Sequence, residues 1–175
     1  MAESSAPRSF GSRLLLLWGV GGVICILLVA VVRLAGKAWV ACLLPWDAIH
    51  WAFLAVWLPF MAYSEGYRGF QKRFSPVVVA RAWHLASHPR LVLVAFGPLF
   101  CMGFFHGSRR RLLTSWILTF AILLFVLGAR QLDPLWRGLV DMGVVVGLCW
   151  GMTTIVVSAV SAARGRPLVD AQLPG

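Results

Sequence analysis

The chain has 175 residues, of which 60% are hydrophobic and 13% are charged, and its formal net charge is +10. A mean hydropathy of +0.83 lies far outside the range of soluble globular domains, as does the presence of nine tryptophans. These values exclude a soluble domain with a charged surface. They predict an integral membrane protein whose first partner is the lipid bilayer.

The fold class follows from five apolar runs, at residues 14–32, 48–63, 91–107, 112–129 and 138–163. Most approach the ~20 residues that a helix needs to cross about 30 Å of hydrocarbon. None shows the alternation expected of a membrane strand. The predicted fold is all-α, a polytopic membrane helix bundle with four transmembrane helices and a third hydrophobic segment that is re-entrant or spanning. A single transmembrane domain is predicted for residues 13–165, between a disordered polar tail at 1–12 and a polar tail at 166–175.

The first run, residues 14–32, has the position of a secretory signal but not its form. Its 19 apolar residues exceed the roughly 7–15 of a signal's apolar region. It ends in Val-Val-Arg and not in a cleavage site of small residues. The sequence therefore predicts a helix that is retained.

The most polar stretch, residues 65–90, separates the second run from the third and holds five of the sixteen basic residues. Ser75 and Pro76 suit the N-cap and the first position of a helix, and Pro89 would end it. At 100° per residue, Arg81 shares one face with two histidines. These features predict a cytoplasmic loop followed by an amphipathic helix over residues 77–88 that lies in the membrane interface.

Basic side chains of this stretch predict contact with anionic lipid headgroups. Arg68, Lys72 and Arg73 come from the expected loop, and Arg81 comes from the expected surface helix. Each such residue near a membrane surface contributes about 1 kcal/mol of attraction. The other basic residues also flank apolar runs, as orientation signals do, so the charge does not predict binding to nucleic acid.

A metal or haem site is the competing interpretation of the same stretch. His84 and His88 have the i, i+4 spacing that lets two imidazoles share an ion, and Glu65 and His106 would complete the ligand set. Arg81 lies one turn before His84 on the same face and would repel a cation. No metal ion is favoured, and no cofactor is predicted.

The third run decides between two topologies. If all five runs span, nine basic residues lie inside and seven outside, whereas a re-entrant third run gives twelve and four. The second count follows the positive-inside rule, and Gly97-Pro98 would break the helix near its middle. Because 17 residues can just cross a bilayer, both topologies stay open. The re-entrant one puts both termini in the cytoplasm, and fourteen arginines among sixteen basic residues favour a bacterial inner membrane.

The fifth run carries a stripe of small residues, Gly143, Gly147 and Gly151, at intervals of four. Small residues at this spacing let a second membrane helix approach closely. The expected partner is a helix of the same chain, a second copy of the chain or another protein.

Function is constrained mainly by what the sequence lacks. No catalytic motif is recognisable, so no catalytic residue is assigned and an enzyme is not favoured. No ionisable side chain lies near the middle of an apolar run, which disfavours an ion-coupled transporter. The first hypothesis is an accessory or scaffold subunit that packs with other membrane helices. The alternatives are a redox or metal subunit that uses His84, His88 and His106, and a carrier of an apolar or lipidic substrate.

Overall fold

The structure, a computed structural model, describes residues 10–171 and is helical throughout, with no strand in that range. Its α-helices are α1 (Phe10–Cys42), α2 (Ala48–Met61), α3 (Ser75–Ser87), α4 (Leu91–Ala95), α5 (Gly97–Met102), α6 (Arg109–Ala129) and α7 (Pro134–Ala163). A π-helix over Ala62–Phe74, called the π segment below, joins α2 to α3 without interruption. The tails expected at 1–12 and 166–175 lie partly outside the described residues, and α1 already begins at Phe10.

Helices α1 and α7 run antiparallel and form the frame of the molecule. At one end, Gly138 near the start of α7 faces Ala41 and the carbonyl of Lys37 near the end of α1. At the other end, Leu16 of α1 and Ala159 of α7 pack in the same apolar cluster. Both helices continue beyond the predicted apolar runs, and α1 extends through Arg33 and Lys37.

The second long element is a continuous helix over residues 48–87 that runs parallel to α7. Trp57 Nε1 in α2 donates a hydrogen bond to the carbonyl of Val140 at 3.1 Å. Further along both helices, the hydroxyls of Ser75 and Thr154 lie 2.8 Å apart. The loop predicted between the second apolar run and the surface helix is therefore wrong, because the π segment carries the helix through it.

Helix α3 is the centre of the core and not a surface helix. Val78, Ala82 and Leu85 have no exposed area, and Arg81 is buried as completely. Helices α1, α5 and α7 all pack against α3. The predicted interfacial location of residues 77–88 is wrong because these neighbours cover both the apolar side chains and the face that carries Arg81.

The third apolar run folds into the short helices α4 and α5, which break at Phe96 before Gly97-Pro98. With five and six residues, neither approaches the ~20 that a membrane crossing needs. Both pack on the first half of α1. Trp18 Nε1 donates to the carbonyl of Val94 at 2.9 Å, and the ring of Pro98 lies against Gly22. The chain thus enters α6 from the end of the bundle at which α1 begins.

Three helices of the described chain are long and apolar enough to cross a membrane. They are α1, the Leu112–Ala129 part of α6, and α7. Helix α6 packs against no other helix extensively, and its principal ring contact is that of Trp116 with Phe104, at 5.8 Å between centroids. The apolar helices indicate a membrane location.

Candidate functional site

The π segment places polar chemistry against the glycines of α7. Its sequence, AYSEGYRGFQKRF, contains Gly66 and Gly69 and is polar over most of its length. Gly66 lies directly under the ring of Trp150, and a Cβ there would come within 2.8 Å of that ring. π-Helical turns are rare and occur frequently at functional sites, so the side chains that this segment turns inward are candidates for a function.

Each glycine of the α7 stripe accommodates side chains of the parallel helix, and Gly143 meets Met61 as well as Trp57. Gly143 faces Trp57, Gly147 faces Glu65, and Gly151 faces the ring of Phe70. A Cβ at Gly151 would lie 2.4 Å from the Phe70 ring, and one at Gly143 would lie 2.3 Å from Trp57 Nε1. The stripe is thus occupied by a helix of the same chain, the first of the three partners expected from the sequence.

Glu65 is the inward-facing ionisable side chain of this contact. A Cβ on Gly147 would lie 2.7 Å from Glu65 Oε2, so the carboxyl group rests on the α7 backbone. This oxygen is buried and accepts no hydrogen bond from any described residue. Gly147 is near the middle of the 30-residue α7, which places a carboxyl group well inside the bundle.

No ionisable group lies near the middle of an apolar run, but Glu65 follows the second run and the structure places it beside the middle of α7. The second apolar run ends at Tyr63, so hydropathy assigns Glu65 to a loop, whereas the parallel pairing with α7 places it at the middle of a long apolar helix. Charged groups at membrane depth are rare and generally functional. The glycine spacing and the position of Glu65 were both visible in the sequence, but their pairing was not.

The outward face of the π segment is basic. Arg68, Lys72 and Arg73 are all exposed, and the Lys72 ammonium lies 4.5 Å from the centroid of the Tyr67 ring. Gln71, on the same segment, accepts a hydrogen bond from Trp150 Nε1 at 2.9 Å. Contact of the three basic side chains with anionic headgroups stays a prediction.

Arg81 has a different role from the predicted headgroup contact. Its Nη2 donates to the carbonyl of Phe105 at 3.0 Å and also to that of His106, and its guanidinium lies 4.5 Å from the centroid of Phe100. Because the side chain is fully buried, the predicted exposure to lipid is wrong. Arg81 instead ties α3 to the turn between α5 and α6, where His106 has a positive φ of 49°.

The histidines do not form a metal centre with the other candidate ligands. His84 and His88 stack with ring centroids 4.7 Å apart, and His106 is exposed in the turn that Arg81 holds. Within residues 10–171, no three His, Cys, Asp or Glu side chains are grouped so as to hold a metal ion. Glu65 faces α7, as described above, and not these histidines.

A second polar cluster, not anticipated from the sequence, lies where α1 ends and α7 begins. Lys37 and Arg137 line a cavity of about 180 Å³ together with Val40, Leu132 and Pro134. Asp141, one turn beyond Arg137, is 5% exposed, and its Oδ2 accepts no hydrogen bond from a described residue. This cluster places both charge signs at the end of the bundle opposite Arg81.

No protein-family model, curated protein or solved structure matches the chain.

Proposed function

We propose that this chain is an accessory or scaffold subunit that assembles with another protein in the membrane. Its apolar helices are compatible with a membrane protein. The assembly role is inferred from one observation, the position of α6. Helix α6 is long enough to cross a membrane but lies apart from the other helices. The glycine stripe, which the sequence predicts as a helix-packing surface, is already filled by side chains of the continuous helix over residues 48–87.

Helix α6 differs from the other two candidate spans in how little of it is covered. Only 6% of Leu112–Ala129 is buried, against 22% of the matching stretches of α1 and α7. Its exposed side chains are large and lie on every side of the helix, including Trp116, Ile117, Ile122 and Phe125. A helix of this kind stands in lipid alone or packs against a helix of another protein, and we propose the second.

The charge of the exposed π segment indicates what kind of partner fits. The outward face of the π segment is basic and is formed by Arg68, Lys72 and Arg73. Because the π segment packs along the apolar helix α7, an unpaired charge on this face is unfavourable. A second copy of the chain would bring the same basic face and repel the first. A membrane protein with carboxylate side chains at this depth would neutralise it, and anionic headgroups would do so where side chains reach the membrane surface.

The proposed topology has four crossings. These are α1, the continuous helix over residues 48–87, α6 and α7, with α4 and α5 returning on the side where α1 begins. By the positive-inside rule, that side is cytoplasmic and holds both termini, and we place the protein in a bacterial inner membrane.

Site-specific photo-crosslinking in native membranes tests the assembly role. We expect a photoreactive residue at Ile117 or Phe120 of α6 to give one crosslinked product with a defined membrane protein. Tagging that protein should in turn recover this chain in a fixed ratio. Matched controls are Val29 of α1 and Val157 of α7, which are apolar and similarly exposed but belong to packed helices, and which should give no such product.

Two results would contradict the proposal. A product with twice the mass of this chain would identify a second copy as the partner. Equal crosslinking to lipid from all four positions, with no protein product, would mean that α6 stands alone in the bilayer.

A further inference from the structure

We propose that Glu65 is a reversible proton-binding site inside the bundle and that it holds its proton while the π segment is packed on α7. This inference concerns the side of the π segment that faces inward. It goes beyond the assembly role, which rests on α6 and on the outward basic face.

The geometry of the contact favours the proton, because Glu65 is partly buried and one of its two carboxyl oxygens is enclosed without a hydrogen-bond donor. Glu65 Oε2 lies against Gly147, where a Cβ would be 2.7 Å away. The neighbouring contacts of the same interface are aromatic, with Trp57 on one side and Phe70 on the other. A carboxylate in such surroundings needs hydrogen-bond donors or a cation, and without them it takes up a proton and becomes neutral.

The charged groups of the surrounding elements do not supply that cation. On the π segment itself, Arg68, Lys72 and Arg73 occupy the exposed face, opposite the side that meets α7. None of them donates a hydrogen bond to Glu65 Oε2.

The flanking helices place most of their charges further away along the bundle axis. On α7, the nearest are Arg137 and Asp141, and Asp141 precedes Gly147 by six residues, about 9 Å along an α-helix. On α1, Lys37 lies beside Gly138 and is more distant still, whereas Arg33 lies closer to the depth of Gly147, but its side chain is exposed. On α2, the titratable side chain is His50, which accepts a hydrogen bond from the Asp47 backbone at the start of that helix, at 3.0 Å.

Release of the proton would place a negative charge on the α7 backbone inside the bundle. The π segment would then have to turn or move away from α7 until water or a basic side chain reached Glu65. Its unusual helical geometry makes such a movement local, since re-forming i→i+4 hydrogen bonds would rotate the face that it presents. Proton binding at Glu65 would thus be coupled to the packing of this one interface.

The composition of the chain allows a direct measurement. Glu3 and Glu65 are its two glutamates, so Glu3→Gln leaves Glu65 as the single one. The full-length Glu3→Gln protein, labelled with ¹³C at the glutamate side-chain carboxyl group and placed in bilayers, then gives one carboxyl resonance. We expect this resonance at the chemical shift of a protonated carboxyl group at pH 7, and we expect it to move only at alkaline pH.

A resonance at the chemical shift of a carboxylate at pH 7 would overturn the proposal. This measurement requires no substitution in the bundle, so it reports the protonation of Glu65 whether or not a variant at that position folds. It is also independent of any partner, because a negative crosslinking result at α6 leaves the resonance of Glu65 unchanged.

Thermal stability provides the second measurement. Because the folded state holds the proton more tightly than the unfolded state, its stability is complete at low pH and falls as pH rises through the range in which Glu65 loses that proton. Glu65→Gln removes the titration, so we expect its Tm to be flat across that range while the wild-type Tm falls. Parallel profiles for the two proteins would contradict a proton at Glu65.

Discussion

Replacement of Gly138 by alanine tests how closely α1 and α7 approach each other. A Cβ at Gly138 would lie 2.3 Å from Ala41 Cβ and 2.9 Å from the carbonyl oxygen of Lys37. One of these neighbours is backbone, so the contact cannot be relieved by rotating a side chain, and the two helices have to separate. Extra volume in a packed core destabilises by about 1–3 kcal/mol.

Gly36 is the matched control because it also lies inside α1, and a Cβ there would meet nothing within 4 Å. Both substitutions gain the ~1 kcal/mol by which alanine exceeds glycine in helix propensity. The difference in stability between the two variants therefore reports the contact of α7 with α1 at Gly138. We expect Gly138→Ala to be less stable than Gly36→Ala by about 1–3 kcal/mol. For a chain of this length that corresponds to a Tm gap of roughly 2–12 °C.

The assay is thermal unfolding of both variants in the same detergent, monitored by the loss of folded monomer in size-exclusion chromatography. Equal Tm values for Gly138→Ala and Gly36→Ala would refute the reasoning, because they would show that α1 and α7 are not in backbone contact at this point.

Three further predictions concern other parts of the fold. Burial raises the pKa of the Cys101 thiol to about 12, so a maleimide at pH 7 should modify the exposed Cys42 at the end of α1 and reach Cys101 only after denaturation, as peptide mass spectrometry would show. Arg81→Met removes the donor to two turn carbonyls, and each carbonyl left unsatisfied destabilises the fold by about 1–3 kcal/mol. We therefore expect faster tryptic cleavage at residues 109–111. Arg90→Met, at an exposed position, should leave the cleavage rate unchanged. Gly147→Leu should push Glu65 off α7 and lower the Tm in detergent, whereas the neighbouring Val146→Leu, at a position that is 36% exposed, should leave it nearly unchanged. Equal Tm values for this last pair would mean that the stripe is not an interface.

The parts of the fold that the sequence predicts are those that depend on local physics. Continuous apolar runs identify helices because the hydrocarbon of a membrane tolerates no unsatisfied backbone. Gly97-Pro98 marks the break in the third run, since proline cannot continue the hydrogen-bond ladder of a helix. The spacing of Gly143, Gly147 and Gly151 identifies a close helix contact before its partner is known.

The parts that the sequence misassigns depend on pairing between distant segments. Residues 64–74 have a polar average, which predicts a loop, because hydropathy does not distinguish an outward face from an inward one. The predicted headgroup contact of Arg81 fails for a similar reason. Its acceptors are the carbonyls of Phe105 and His106, and no periodicity in α3 reveals that a turn more than twenty residues later will cover it.

The parallel pairing of residues 48–87 with α7 has a consequence for biogenesis. The hydrogen bond from Trp57 to Val140 and the one between Ser75 and Thr154 join residues 83 and 79 positions apart in the chain. During synthesis, the segment that contains Glu65 therefore leaves the ribosome long before the glycines that cover it. Helix α6 can insert into lipid on its own apolar surface, but the second helix cannot shield its polar middle until α7 arrives. In the proposed topology its final seating in the membrane is therefore a late step that waits for the last helix of the chain, and truncation before Pro134 should leave the segment over residues 62–74 at the membrane surface.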